Sequence, residues 1–538
     1  MSEPRIESMF REDHALRRQH LEDARANAKH TDWTVVPPEN SDQNTRPPKR
    51  YQTVGPRGLG NLEALITAAM FTPGMPWCAQ ELTPELKFDK TIDDKTKQSI
   101  ADDLWLQDLA IQSTIESAHL FADDNCGSDG FLAGQLRATR QLLVAGDTLE
   151  RVEPDYRVRL YRIDHYVTRR DPCMRVLYHV TWETVDLLTL PPKFVKDKLG
   201  ESEVELKKKS PRERTENLWT LVEWQPRKKT WVVTQEVKGR VLLEKEYKVS
   251  RYIPTSMSLT PGEHYGRAFI SRLEPDLNSY DAIRKAELYC AAACADVKWA
   301  ITHGSQTREE DLYKPPLSVI RANVRGGQVD DIACVQAGKV NDFAVVHQVG
   351  ESVRRDLSRA FLLEDEMVRP SERTTTFEIQ RLVDQLNQAT GGLYTPIADM
   401  KHKPLFYIVR DMMRQQKELP VLTESLDRKI SVSVLTGVAA LARRNRVQGM
   451  VTVAELANRL GPETARRIDG AVMLQEAYRG VGVYAPGLIK SDAKLAQEDQ
   501  QAMKNQAAVE ANSQVIQSTG KVAEQVAAEN LLRNPAAA

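Results

Sequence analysis

The residue types best able to do chemistry gather between Asn341 and Leu393, where a charged loop separates two helical patterns. The loop, Glu364 to Arg373, reads EDEMVRPSER and sets Glu364, Asp365, Glu366 and Glu372 against Arg369 and Arg373 around Pro370. Three successive acids offer the oxygen ligands that magnesium prefers. Loop acids beside arginines more often form ion pairs, so no metal is implied. Elsewhere the chain shows no Walker A motif, no HExxH, no nucleophile elbow and no kinase set. Its ten histidines are dispersed, and His264 and His347 have no catalytic partner beside them in sequence. Six cysteines form neither a disulfide framework nor a metal-ligand spacing. Cys290 and Cys294 share a helix face with no further ligand near, and read as small residues in a packed helix. Nothing here makes a catalytic constellation or calls for a cofactor.

The loop needs firm elements on both sides. Before it, Phe343, Val346, Val353, Leu357 and Phe361 return every three or four residues to one helix face, and Gln348, Ser352, Arg355 and Arg359 occupy the opposite face. After it, Thr375 and Glu378 have the spacing of a capping box, in which hydroxyl and carboxylate satisfy orphan backbone donors at a helix start.

The rest of the chain alternates in texture. Glu3 to Trp33 reads as a charged helix, mostly at the surface, followed by a proline-rich segment to Pro56. Gly55 to Asn61 (GPRGLGN) fits neither the dinucleotide nor the P-loop glycine spacing, and reads as a flexible turn leading into the helix LEALITAAMF. Helical patterns run over Lys95 to Phe121 and Gly130 to Ala145. Alternating strands follow at Arg157 to Ile163, Met174 to Trp182 and Leu218 to Trp224, then in WVVTQ and RVLLEKEY, giving an α+β block. The basic run Lys207 to Arg214 reads as a solvated loop between strands. Phe269 to Ile301 is helical and rich in small residues at its end, and His303 to Val340 is a short α/β insertion marked by Pro315-Pro316 and Gly326-Gly327. Helix, insertion, helix is an outline able to project from the main body. Further helix follows Gly391-Gly392 to about Lys417, then a helical part after Leu435-Thr436-Gly437, and an Ala- and Gln-rich tail from Ser491 whose helix formation depends on its neighbours.

At 538 residues the chain is long enough for several domains. With aromatics at only 6%, a base-stacking nucleic-acid reader is disfavoured. A net charge of -1 also argues against tight phosphate binding over a broad surface, so any DNA contact is expected to be local or weak. The amino-terminal sequence has no apolar signal core and no apolar run approaches the ~18 residues of a membrane span, so a cytoplasmic, non-membrane protein is expected.

Several segments, in order, carry a resemblance: GDTLERVEPDYRVRLYRIDHYVTRRD (Gly146 to Asp171), SLTPGEHYGRAFI (Ser258 to Ile270), LSRAFLLEDEMVRPSERTTTFEI (Leu357 to Ile379), LNQATGGLYTPI (Leu386 to Ile397) and LTGVAALARRN (Leu435 to Asn445). Their order and spacing resemble the portal, or head-to-tail connector, proteins of T7-like short-tailed bacteriophages over nearly the whole chain. Two departures are the Thr374-Thr375-Thr376 run, where such proteins often show Val-Thr-Ala, and the extra loop KKKSPRER.

The resemblance implies an α+β portal fold that forms a ring of about twelve subunits at one capsid vertex, with double-stranded DNA passing through its axis. It implies a wing from 1–266 and 375–430, stem helices at 267–302 and 341–363, a clip at 303–340, a channel loop at 364–374, a crown at 431–490 and a helical tail at 491–538. Expected partners are the terminase large subunit at the clip, then tail adaptor or tube proteins, besides capsid, scaffold and internal core proteins. Arg308, Lys314, Arg321 and Arg325 are the clip candidates for these contacts. Ring symmetry turns each side chain into a belt, so Gln348, Arg355 and Arg359 are candidates for the bore. Arg369 and Arg373, with Glu364 and Glu366, are candidates for a gate, or else the arginines only pair with the neighbouring acids. One alternative is a nucleic-acid-processing enzyme, which would need a carboxylate or phosphate site that the sequence does not show; the other is another virion component, a tail adaptor or internal core protein. An adaptor is expected to be shorter and to lack the helix-insertion-helix block.

Overall fold

The computed structural model describes residues 5–39, 41, 44–71, 77–83, 85, 94–118, 131–295, 298–301, 303, 308–312, 315, 319, 321–325, 328–329, 332–335, 340–363, 394–419, 430–434, 449–457, 459, 470 and 473. Two compact units divide the chain, Met1–Arg443 and Arg444–Ala538. In the second, the longest described stretch is helical, 449–457, with Ala457 buried.

The first unit opens with two helices, α1 (Arg5–Leu16) and α2 (Arg18–His30). The sequence pattern suggests one surface helix, but a buried stripe runs through the charges. Ile6 and Phe10 of α1 pack on sheet residues Val167, Val180, Trp219 and Leu221. Leu21, Ala24 and Ala28 of α2 enter the central core. Even charged members of the stripe are buried: Asp13 accepts from Arg169 at 3.0 Å and from the Tyr178 hydroxyl at 2.7 Å. Arg17 lies over the Tyr166 and Tyr265 rings, 5.7 and 5.3 Å from their centroids, a cation–π arrangement. Charge alternation hides the apolar period here.

Helix α3 (Val54–Met70) begins ahead of the glycine run, so the expected flexible turn is helix instead. The glycines are there for close approach. A β-carbon at Gly55 would lie 2.2 Å from the His30 carbonyl oxygen, and one at Gly58 would lie 2.2 Å from Cγ of Phe361.

Strand β1 (Cys78–Leu82), helices α4 (Asp94–Ala118) and α5 (Phe131–Ala145), and the short strands β2 (Asp147–Val152) and β3 (Val158–Tyr161) follow. Next come β4 (Tyr166–Arg170), β5 (Val176–Asp186), the short helix α6 (Glu203–Lys208), β6 (Thr215–Gln225), β7 (Thr230–Val237), β8 (Arg240–Tyr247) and β9 (Tyr252–Ser256). Strands β4 to β8 form an antiparallel meander in sequence order, and β2 lies between β3 and β9 in a second sheet. The central strand β6 is buried on both faces: Trp219 and Leu221 under α1, Leu218 with Leu187 and Leu206 on the other side. Part of the basic run expected as loop is helical, since α6 covers residues to Lys208 and is opened by a full Ser202–Glu205 capping box.

Helix α7 (Glu274–Ala295) ends sooner than the sequence pattern suggests, because Lys298–Ile301 forms strand β10. In the insertion β10 pairs with β13 (Ile332–Val335), and β11 (Val324–Arg325) pairs with β12 (Gln328–Val329), both antiparallel. Helix α8 (Val340–Ala360) packs back on α7, and α9 (Tyr394–Gln415) returns to the central core through Leu405, Phe406, Val409 and Met412. Strand β14 (Ile430–Val434) then pairs with β1 across the whole of both strands. The boundary expected at 430/431 therefore cuts a strand, and residues to Val434 belong with the first unit.

Candidate functional site

Helix α8 carries the candidate polar face, and its sequence fixes which side is buried. Leu357 and Phe361 are 1% and 0% exposed, and Val353 packs half-buried against the same core. Gln348, Ser352, Arg355 and Arg359 all lie exposed on the opposite side. Arg359 is 3.9 Å from Asp356 on the same exposed surface, a solvated and weak contact. Arg354 is 3.0 Å from Glu351. The face is thus cationic at its carboxyl-terminal end, where the helix dipole favours positive charge.

Three sets of contacts hold α8 in place. Gly350 lets α7 come close, since a β-carbon there would meet Ile283 at 3.0 Å. On the same interface the buried Glu287 of α7 accepts from Arg284 at 2.6 Å, and its second oxygen is 3.1 Å from Nδ1 of His347. His347 therefore has an acidic partner that the sequence does not show, sixty residues away. Arg284 and Glu287 are visible as a helical pair, but the register of α7 against α8 is not.

The third set closes the exit of α8. Leu362 turns left-handed (φ 54), the Leu363 amide donates to the Ser358 carbonyl at 2.8 Å, and that of Leu362 donates to the Arg359 carbonyl at 3.1 Å. Asn61 of α3 donates from its side-chain amide to the Phe361 and Leu362 carbonyls, at 3.0 and 2.9 Å. Carbonyls at a helix end lack intrahelical donors, and here a distant helix supplies them. Earlier in α7, Asp281 accepts from the Tyr51 and Gln52 amides at 2.7 and 3.0 Å, tying the segment before α3 to the same assembly.

Of the insertion candidates, Arg308, Arg321 and Arg325 are exposed, and Arg325 lies on β11. Lys314, Arg369, Arg373, Glu364, Glu366 and the Thr375–Glu378 capping box lie outside the described residues.

A second polar cluster lies in the α+β block and is not legible in the sequence. Asp147 is buried and accepts from the Ser256 hydroxyl at 2.7 Å and from the Gly266 amide. Burial pushes its carboxyl up to about 7, against the opposing pull of Arg170 and these two donors. His179, fully enclosed, is pushed down to about 3 by burial and then by Arg170. His264 accepts from the Arg170 amide at 3.3 Å and borders a cavity of about 500 Å³ with Asp13, Arg17, His20, Glu263 and Tyr265. A carboxyl titrating near neutrality can mark an acid–base site. Asp147 does not line the cavity, however, and its oxygens are taken by backbone and hydroxyl donors. The cluster knots β2, β4 and β9 together. Among the described residues no group of three or more His, Cys, Asp or Glu side chains is placed to hold a metal, and no helix is long and apolar enough to cross a membrane.

Comparison with known proteins gives this arrangement its context. The chain is 24% identical over 511 residues to the portal protein of Escherichia phage T7, covering 91% of this chain and 90% of the relative. It is 24% identical to the portal protein of Enterobacteria phage T3 (86% and 84% covered) and 24% to that of Enterobacteria phage SP6 (92% and 93%). Among solved structures, the virion of a native gene transfer agent particle aligns over 70% of this chain and 88% of its own, with 12% identity and a TM-score of 0.29. The neck of an empty particle of that kind aligns over the same shares, with 11% identity and a TM-score of 0.28. A profile of the bacteriophage head to tail connecting proteins matches residues 8–489. The chain belongs to the bacteriophage head to tail connecting protein family.

Proposed function

We propose that this chain is a phage portal protein: a ring of about twelve copies at one capsid vertex, through which DNA is packaged and ejected and to which the tail attaches. The observation that carries the reading is the family match over residues 8–489, which spans the α+β block, the α7–insertion–α8 segment and the helices beyond. In this reading residues 1–266 and 375–430, with β14 added, form the wing; 267–302 and 341–363, which hold α7 and nearly all of α8, form the stem; 303–340 is the clip; 364–374 is the channel loop; 435–490 is the crown and 491–538 the helical tail.

The physical chemistry supports a structural conduit. A duplex must move through without being trapped, and neutralising many phosphates at once would trap it. A nearly neutral chain that gathers Arg355 and Arg359 on one exposed helix face, repeated round a ring, offers belts of charge against an otherwise balanced surface. Arg369 and Arg373 are proposed as the gate, with Glu364 and Glu366 beside them. Arg308, Lys314, Arg321 and Arg325 are proposed as clip contacts, first for the terminase large subunit and then for tail adaptor or tube proteins. The assembly is placed in the virion after formation in the host cytoplasm, in contact with capsid, scaffold and internal core proteins.

Electron microscopy of the purified protein tests the architecture: end-on class averages should show closed rings with a central hole. Monomers or irregular particles across salt and protein concentration would remove the reading. Arg369→Ala tests the gate: rings should form while DNA packaging or retention falls, and normal packaging, retention and ejection would sink that assignment.

A further inference from the structure

The contacts of α8 with α3 are of a different kind from the rest of its packing. An apolar stripe such as Val353, Leu357 and Phe361 is non-directional, so by itself it tolerates rotation and sliding of the helix. The exit of α8 adds two constraints that do not. Phe361, fully buried, seats its ring where Gly58 has no side chain, and any β-carbon there would lie 2.2 to 2.6 Å from ring atoms. One turn along α3, the Asn61 amide bridges two successive carbonyls, those of Phe361 and Leu362. Between these two contacts Leu362 adopts a left-handed backbone that a leucine rarely takes. Such an outlier is kept only where surrounding structure imposes it.

We propose that Gly58 and Asn61 are positioning residues for the polar face of α8: they set the rotation and height of the helix, and so the direction in which Gln348, Arg355 and Arg359 project. The inference rests on the reading of that face as the channel wall. Neither residue belongs to that face, and both lie about three hundred residues from it in sequence. The middle of the helix is indexed in the same way by Gly350 on Ile283 and by His347 on Glu287, so α8 is held at two heights.

The test uses assembled rings and duplex DNA, reading how binding falls with salt. Each phosphate that is no longer neutralised shrinks the slope of log affinity against log salt by about 0.9. Arg355→Gln with Arg359→Gln should flatten the slope directly. Asn61→Leu removes no charge, yet it should flatten the slope towards that of the double variant while rings still form. A variant that merely loosened the fold would lower ring yield and leave the slope of intact rings unchanged. If the arginine pair flattens the slope and Asn61→Leu does not, the positioning role is overturned and the channel-wall reading survives. If the arginine pair has no effect, the channel-wall reading falls and takes this inference with it. Should Asn61→Leu fail to assemble, Asn61→Ser, which keeps one short donor, carries the same comparison. Electron microscopy of the variant rings gives the direct readout: α8 should be rotated about its axis, and an unrotated helix would overturn the proposal.

Discussion

At the scale of single residues, the buried charges and two glycines do most to specify the first unit. Lys401 and Glu150 are 3% and 1% exposed and 3.0 Å apart, joining α9 to β2, with Gln135 donating to the second Glu150 oxygen at 3.1 Å. Removing one partner of such a pair strands the other, at a cost of about 3–5 kcal/mol. Lys401→Met is therefore expected to destabilise the protein strongly, and adding Glu150→Gln should recover more than half of that loss in denaturant titration. Strict additivity of the two changes would refute the coupling. Gly146 ends α5 with φ 81, and a β-carbon there would lie 2.3 Å from the Gly266 carbonyl oxygen. Gly146→Ala combines a left-handed alanine with a backbone clash and should cost more than the ~1–2 kcal/mol of the conformation alone. An unchanged melting temperature would show that the β2–β9 corner can open.

At the scale of elements, α1 shows how a charged segment can still be structural. Phe10 is 6% exposed and its ring is 5.2 Å from that of Trp219, in a small core that holds α1 on the meander. Phe10→Ala should cost roughly 3–5 kcal/mol, as buried aromatic truncations do. It should also red-shift tryptophan emission and expose the α1–α2 joint to proteolysis. Native emission with unchanged cleavage would mean that α1 is dispensable to the sheet. The strands with clear alternation are legible in sequence: β8 coincides with RVLLEKEY, and β5, β6 and β7 lie where the pattern places them. The short β2, β4 and β9 are not, because their residues are polar and buried together. Asp147, Thr148, Glu150, Thr168, Thr255 and Ser256 are all enclosed, so the apolar–polar alternation that marks a half-exposed strand is missing.

At the scale of the whole molecule, buried histidines set how stability responds to acid. Burial lowers His20 to about 4 with help from Arg17, His402 to about 4, and His179 to about 3, from an ordinary value near 6.5. Unfolding frees these groups to bind protons as pH falls below about 6.5, so each contributes stability that is complete above that value and lost on the way down to its folded value. Each uncompensated group contributes a slope of about 1.4 kcal/mol per pH unit in that window. Asp147 works the other way: raised to about 7, it takes its proton first in the folded state and gains stability as pH falls from 7 towards 3.8. Three histidines against one aspartate leave a net loss, so the melting temperature should fall between pH 6.5 and 4. A melting temperature that rises over that interval would show that the aspartate dominates. His179→Gln should flatten the profile.

Residue order alone is enough for the long periodic elements and the two-sided character of α8, because helix and strand periods are local and each residue's face follows from its spacing. The order of its segments also suffices to mark the family. Which of these elements meet is settled only in three dimensions. Asn61 on the carbonyls of Phe361 and Leu362, β1 on β14, and His347 on Glu287 join positions sixty to more than three hundred and fifty residues apart. A hydrogen bond leaves no trace in the local pattern of either partner, and a glycine that admits an aromatic ring looks in sequence like a glycine that bends a chain. Gly58 reads as part of a turn for that reason, and only the position of Phe361 shows that it is a seat.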